Sequence, residues 1–319
     1  MQISTSKITI KKYHTKNMID VLSLIDRSGH TVRSAESWIE NNMSAVLAFD
    51  NDNLIGAIPF ERFNVSLGDG VYTPALWVSA AYVDPEYRGL GVGTLIDQAI
   101  NQYFYPKYQM VLVVRKDEGT SAFQWYQKIG YTIVSKIISL RLDIIHTTIH
   151  QNYQIIDACH SLEKVTNQLC NCFDKNNHSY IGYPERTQNF WCNKFKYHYY
   201  GESYIYSALI RKNGKKIISY SLLGRTTMND GVDRLDILEF VSPDNAYEQH
   251  AIYNSIMHYA QSIGVVELRI QTLEGDSLLQ YACDYGFTKR WETNLMVKML
   301  NPNTTLPQGK WRFFHVDYL

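Results

Sequence analysis

The chain has 319 residues, 45% hydrophobic and 19% charged, enough for two domains with substantial cores. Lysine plus arginine equals aspartate plus glutamate at 31 each, so no global field selects nucleic acid or an anionic membrane, and a small or neutral partner is expected. The longest purely aliphatic stretch, Met110 to Val114, is too short to span a bilayer. Met1 to Lys7 lacks the apolar core of a signal peptide, so a cytoplasmic protein is expected. The five cysteines, Cys159, Cys170, Cys172, Cys192 and Cys283, are odd in number, and Cys170-Asn171-Cys172 has no second Cys or His pair at zinc spacing. Buried free thiols are expected rather than a metal site.

In chain order, Ile8 to Tyr13 alternates as an edge strand. Helical patterns cover Asn17 to Arg27 and Arg33 to Asn42, with Gly29-His30 between them and Ala35, Trp38 and Ile39 on one face of the second. Ala45 to Phe49 and Leu54 to Phe63 form a hairpin about Asn51-Asp52-Asn53, residues that tolerate left-handed backbone. The apolar run Ala75 to Val83 reads as a strand, Asp84-Pro85-Glu86 as a turn, and Leu90, Leu95, Ile96 and Ile100 as one helical face. Met110 to Arg115 is a buried-type strand, Thr120 to Lys128 a short helix and Tyr131 to Leu142 a long strand.

Arg88, Gly89, Gly91 and Gly93 therefore stand where a helix begins. The first amides of a helix have no intrahelical partner and its dipole is positive there, so glycines let an anion such as pyrophosphate approach bare main chain. A turn whose glycines merely allow tight strand–helix packing would have the same spacing. The dinucleotide fingerprint G-x-G-x-x-G does not fit glycines at 89, 91 and 93. The triphosphate loop fails too, because Thr94-Leu95 follows Gly93 where a Lys-Ser or Lys-Thr pair is needed.

The remaining pattern, Arg-x-x-Gly-x-Gly at Arg88, Gly91 and Gly93 behind Val83-Asp84-Pro85-Glu86, resembles the coenzyme A loop of the GCN5-related N-acetyltransferase (GNAT) family. The element order agrees, and Ala122, Phe123, Trp125, Tyr126, Gly130 and Tyr131 fit the family's Ala-x-x-aromatic-Tyr-x-x-x-Gly-aromatic signature. The resemblance implies an α/β fold in which a central mixed, mostly antiparallel twisted sheet is flanked by helices. It also implies acetyl-CoA as co-substrate, with no metal. By position, the cofactor would be held by Ala81, Tyr82, Val83, Arg88, Gly89, Leu90, Gly91, Val92, Gly93, Thr94, Phe123 and Tyr126. In the family, main-chain groups at a bulge in the fourth strand hold pantetheine and polarise the carbonyl; here they belong to Ala81, Tyr82 and Val83. Gly119 stands where the family often has Asn, which removes one side-chain contact to the pantetheine arm.

Tyr126 matches the tyrosine beside the thioester sulfur. A departing thiolate needs a proton, and a phenol with pKa near 10 can donate one as charge develops. The strand Ala75 to Val83 carries no acidic residue to deprotonate the amine. Glu61 is the nearest candidate by topology, with a surface charge or a water chain as its alternatives.

The second half echoes the first. Val241-Ser242-Pro243-Asp244 corresponds to Val83-Asp84-Pro85-Glu86, Tyr285-Gly286-Phe287 to Ile129-Gly130-Tyr131, and Phe190-Trp191 to Ser37-Trp38. Between these marks lie a hairpin near Asn213-Gly214, strands Leu235 to Val241 and Val265 to Gln271, a helix Tyr247 to Ser262 and a helix ending at Tyr285. Tandem domains are expected: a catalytic domain over 1–145, a GNAT-like copy over 151–300 and an aromatic tail over 301–319, with the boundary near Asp143 to Gln151. Ala246, Gln249 and Ala251 replace Arg88, Gly91 and Gly93, and Ala282 replaces Tyr126, so the second copy reads as degenerate. It is expected to cover the first, shape the acceptor cleft or form a homodimer. A variant acyl donor bound through other contacts is the alternative.

Tyr197 to Tyr200 with Tyr204-Ile205-Tyr206 reads as hairpin strand sequence or as an acceptor-pocket lining. His146 and His150 read as solvated linker residues. The tail Leu306 to Leu319 is aromatic and should dock, since exposed aromatics gain nothing in water. One reading has Asp317 or the Leu319 carboxylate accept the amine's proton in an inter-domain cleft. The other has Trp311, Phe313 and Phe314 plug the second domain's own core after its final strand, Leu295 to Leu300. The expected activity is N-acetyl transfer to a primary amine of a small molecule or peptide. The alternatives are an acyl-CoA sensing module and an aminoacyl or acyl transferase using another donor.

Overall fold

The computed structural model describes residues 8–27, 43–79, 81–116, 118–144, 153–196, 204–227 and 231–318. The expected helix over Arg33 to Asn42, the histidines His146 and His150, the aromatic run Tyr197 to Tyr200 and Leu319 lie outside them. Contacts divide the chain into two compact units. Unit 1 comprises Met1–Asn64, Thr73–Val134 and Leu295–Leu306; unit 2 comprises Val65–Tyr72, Ser135–Asn294 and Pro307–Leu319.

Unit 1 is organised about strand β2 (Ser44–Asp50), buried on both faces because a helix covers each. Val46 and Ala48 join one cluster with Val92, Ile96 and Ile100 of α2 (Val92–Phe104). Ala45, Leu47 and Phe49 join another with Val21, Leu24 and Ile25 of α1 (Met18–Arg27). β1 (Ile8–Lys12) and β3 (Asn53–Gly68) flank β2 antiparallel, and β4 (Val71–Val78) pairs in parallel with β6 (Met110–Arg115). The run expected as one strand, Ala75 to Val83, is two: β4 ends at Val78, and β5 (Tyr82–Val83) pairs instead with β3. α3 (Ser121–Lys128) follows, its first turn capped by Thr120 Oγ1 accepting from the Phe123 amide at 3.2 Å, and Gly130 after it takes a left-handed turn with φ 98°.

The last strand of the unit is contributed from far along the chain. Beyond β6 in sheet order comes β13 (Thr288–Met299), and its residues from Leu295 onward belong to unit 1, where Met296 and Leu300 enter the α2 core. The segment expected to be the second domain's final strand thus completes the first unit. β7 (Thr132–Asp143) goes the other way: from Ser135 it belongs to unit 2, so a cut near Asp143 to Gln151 follows neither unit.

In unit 2 the order runs from the first half of β13 through β7, β12 (Glu267–Leu273), β11 (Asp233–Val241), β10 (Lys216–Thr227) and β9 (Tyr204–Asn213) to β8 (Gln154–Asp157). Helices α4 (Thr166–Asn177), α5 (Gln188–Lys196), α6 (Ala246–Ser262) and α7 (Ser277–Tyr285) pack on it, with Phe173, Trp191, Ile252 and Leu278 in one core. Tyr204 to Tyr206 lie in β9, as hairpin strand sequence. Cys159 and Cys170 are half-buried and Cys172 buried, but Cys283 is exposed, against the expectation of uniformly buried thiols.

Unit 1 buries one ion pair that the apolar pattern conceals. Asp97 on α2 and Lys298 on β13 are 4% and 8% exposed, with Oδ2 and Nζ 2.5 Å apart. Burial raises the Asp97 pKa and the Lys298 charge opposes the rise. Removing one member leaves an uncompensated buried charge, which costs about 3–5 kcal/mol, whereas an apolar pair of similar volume is close to neutral. Urea unfolding is therefore expected to show Lys298→Met strongly destabilised and Asp97→Leu/Lys298→Met restored to near the parent. Single variants within about 0.5 kcal/mol of the parent would contradict the buried pair.

Candidate active site

The site begins where the parallel ladder of β4 and β6 ends. The pairs are Ala75–Met110, Leu76–Val111 and Trp77–Leu112, after which β6 continues to Arg115 while β5 pairs with β3 through Val83–Gly56 and Tyr82–Ala57. The two strands separate at this point, beside main-chain groups of Ala81, Tyr82 and Val83. The short strand alternates: Val83 packs with Ala81, Leu90, Val92, Phe123 and Tyr126, whereas Tyr82 packs on the α1 side.

The loop then delivers the start of α2. Gly89 and Gly91 have φ of 79° and 82° with open space where a Cβ would stand, so their requirement is the left-handed backbone itself. Gly91 is the N-cap residue, and the Leu95 amide is the first of the turn to reach an intrahelical acceptor, Gly91 O at 3.0 Å. The amides of Val92, Gly93 and Thr94 precede it at the positive end of the helix, where helix geometry supplies no acceptor.

Gly93 is different, because it serves packing. A Cβ there would lie 3.1 Å from the Trp125 ring, whose Nε1–H donates to Thr94 Oγ1 at 3.2 Å. Gly93 thus fits the packing reading of the loop, whereas Gly89 and Gly91 answer to their left-handed backbone. Arg88 is exposed, and its Nε–H donates to Val83 O at 3.0 Å, bracing the loop against β5.

Tyr126, on α3, is 3% exposed and packs edge-on against Tyr131 with ring centroids 5.0 Å apart. Burial pushes its phenol up to about 12; the Arg115 guanidinium, 5.5 Å from the ring centroid, pulls it down, and Asp97 adds to the rise. Sequence reasoning missed Arg115 and the Asp97–Lys298 pair, and it named Trp125 only as a signature aromatic, without its contact to Gly93 and Thr94. Asp97 and Lys298 did carry a signal, each being a lone charge in an apolar pattern. Glu61 is partly buried on β3, one residue beyond the last β2–β3 pair, Ser44–Phe60.

Asp317 is not part of this constellation. It is 2% exposed in unit 2, where Oδ1 accepts from Arg186 at 2.5 Å and Oδ2 from the Phe314 amide at 2.8 Å. Arg186 also binds Glu239 Oε2 at 2.8 and 2.5 Å, while Glu239 Oε1 accepts from Trp191 and Tyr220. The proton-acceptor role expected of Asp317 gives way to a structural one, since both oxygens are committed. The rest of the tail is fastened in the same unit: Trp311 lies where a Cβ on Gly182 would be 2.1 Å from its ring, and Arg312 forks onto Asp276 at 2.8 and 2.6 Å. The C-terminal 3-10 turn, His315–Tyr318, packs on β11 and β12, whose parallel ladder ends at Ile237–Ile270, two residues before Glu239.

At the start of α6 stand Ala246, Gln249 and Ala251, and the 2%-exposed Gln249 donates from Nε2 to Pro243 O at 3.2 Å. Among the described residues no group of three potential metal ligands is found, and no helix is long and apolar enough to cross a membrane.

Residues 17–131 match the model of the acetyltransferase (GNAT) family. Solved structures extend the likeness in fold. A GCN5-related N-acetyltransferase from Anabaena variabilis superposes with a TM-score of 0.72 at 14% identity, covering 92% of this chain and 73% of that one. A probable N-acyltransferase from Enterococcus faecalis gives 0.71 at 14% identity, with 92% and 73% covered. A tandem GNAT protein from the clavulanic acid biosynthesis pathway gives 0.60 at 9% identity, covering 93% of this chain and all (100%) of that one. No curated protein matches the chain by sequence.

Burial pushes the Asp317 carboxyl up to about 6 despite the opposing pull of Arg186. A carboxyl whose folded pKa exceeds its unfolded value contributes stability below about pH 4 that is lost as pH rises through about 6. The stability of the parent relative to Asp317→Asn, measured by urea unfolding, is therefore expected to fall by up to about 3 kcal/mol between pH 4 and 7. A difference independent of pH would mean that Asp317 stays ionised throughout.

Proposed function

We propose that unit 1 transfers an acetyl group from acetyl-CoA to a primary amine of a small molecule or peptide by direct attack, with Tyr126 as general acid for the coenzyme A thiolate. The observation that carries this reading is the left-handed turn at Gly89 and Gly91, which presents the amides of Val92, Gly93 and Thr94 next to β5, the short strand that pairs with β3 after the β4–β6 ladder has ended. Those amides suit a pyrophosphate, and the main chain of Ala81 to Val83 suits the pantetheine arm. The amine nitrogen bonds to the carbonyl carbon, the carbon–sulfur bond breaks, the nitrogen loses its proton to Glu61 or water, and the sulfur gains one.

A phenol at about 12 remains protonated at any working pH. An ordinary thiol titrates at about 8.5, below the phenol, so Tyr126 begins by donating a hydrogen bond that strengthens as charge collects on sulfur, and its proton passes over only as the carbon–sulfur bond breaks, with solvent reprotonating the phenol. Arg115 favours the same charge. Unit 2 is assigned no second transfer site, because Gln249 bonds back to Pro243 where the first unit has Gly91, and the tail packs on β11 and β12. A non-catalytic acyl-CoA sensor is the second reading, favoured by the 3% exposure of Tyr126, which would equally suit a core residue.

Gly91→Asp places a carboxylate at the proposed pyrophosphate position and is expected to weaken acetyl-CoA binding at least ~100-fold in calorimetric titration. The neutral Gly91→Asn, which tolerates left-handed backbone, should lose less. Tyr126→Phe should keep the affinity and lower turnover by about 10²-fold, read as thiol release with a panel of amines. Undiminished binding by Gly91→Asp would reduce the loop to a packing turn, and binding without turnover in the parent would select the sensor.

A further inference from the structure

Unit 2 contains a cavity of about 520 Å³ between α4, the start of β10 and Pro243. Its helical wall is one face of α4, on which Gln168, Asn171, Cys172, Lys175 and Asn176 recur at helical spacing. Lys215 and Lys216 stand opposite. Ile217 and Cys172, each 4% exposed, make an apolar floor with Pro243. Apart from the Cys172 thiol, every ionisable group that lines the cavity is a lysine, and no carboxylate lines it. Three ammonium groups around a concave apolar floor raise the local potential, because low-dielectric walls focus their field.

The fold does not dictate that sign. Unit 1 has a comparable hollow of about 590 Å³ between α1, the β2–β3 turn and the Asp84 to Tyr87 loop, the same three kinds of element. There the charges are Asp20, Asp52, Asp84 and Glu86, with Arg27 as the opposing cation. Two hollows built alike thus carry opposite charge.

We propose that the hollow in unit 2 is a binding site for a small organic anion, its acidic head held by Lys175, Lys215 and Lys216 and its apolar body laid over Cys172, Ile217 and Pro243. Ammonium groups act as flexible point charges, so the site selects charge and an apolar tail rather than a planar head-group geometry. Nothing in the site depends on the transferase reading of unit 1.

Octanoate serves as the probe, with octylammonium as its charge-reversed counterpart and inorganic phosphate as the head alone. Titration calorimetry of the full chain is expected to show one octanoate site, weakened at least ~10-fold by Lys175→Glu/Lys216→Glu and retained in Lys175→Arg/Lys216→Arg. Octylammonium and phosphate should bind at least ~10-fold more weakly than octanoate. Both lysines are exposed, so the variants should keep the parent's melting temperature. Amide shifts in the parent should move at α4 and at Lys215 to Ile218 when octanoate is added, which locates the site without any substitution. The proposal is overturned if octanoate does not bind, if it binds the Glu variant as well as the parent, if octylammonium or phosphate binds equally well, or if the shifts lie elsewhere.

Discussion

Everything proposed for unit 1 depends on a sheet ladder that stops short. β6 runs three residues past Leu112, the last residue paired with β4, and β5 has already turned to β3. Strand edges left in this way present amides and carbonyls that need partners. The left-handed turn at Gly89 and Gly91 then sets a helix start, with its own unpartnered amides, next to the same opening. Polar main chain from two kinds of element converges there, and the adjoining apolar cluster of Val83, Leu90, Phe123 and Tyr126 supplies a floor. An extended ligand with an anionic end and an amide-bearing arm is the guest such a combination suits.

Unit 2 repeats the ladder but not the opening. β11 and β12 part after Ile237 and Ile270, and the C-terminal turn packs on both strands. Its fastening is ionic and buried: Asp317 with Arg186 and Glu239, and Arg312 with Asp276, all at or below 5% exposure. Taking such charges out of water is costly unless every donor and acceptor is met. Here the guanidinium of Arg186 is also sandwiched at 4.5 and 4.2 Å from the rings of Phe173 and Phe190. A tail held by paired charges and by Trp311 over Gly182 has one seating, whereas a purely greasy tail could slide.

Local patterns made much of this legible in advance. The glycines at 89 and 91 and the signature around Tyr126 depend on neighbours within a few residues, and the aromatic composition of the tail marks it for docking without naming its partners. What escaped depends on distant partners. Ala75 to Val83 reads as one strand because its composition does not change where β4 gives way to β5. Leu295 to Leu300 reads as the end of the second domain because nothing in those residues names the strand beside them. Lys298, within an apolar strand, and Asp97, on an apolar helix face, were the available clue, since an isolated charge in such a position requires a buried partner. Asp317 was misplaced for the converse reason: a carboxylate near a terminus looks free until its arginine, 131 residues away in sequence, is found.

Amide hydrogen exchange on the full chain, with and without acetyl-CoA, tests the central claim most directly. Slowed exchange at Val92, Gly93 and Thr94, with Ala246 to Ala251 unchanged, is the expected result, because the first set of amides would gain acceptors on the pyrophosphate. Unchanged exchange at Val92 to Thr94 in protein that binds acetyl-CoA, or protection at the start of α6 instead, would contradict a coenzyme site at the Gly89–Gly91 turn.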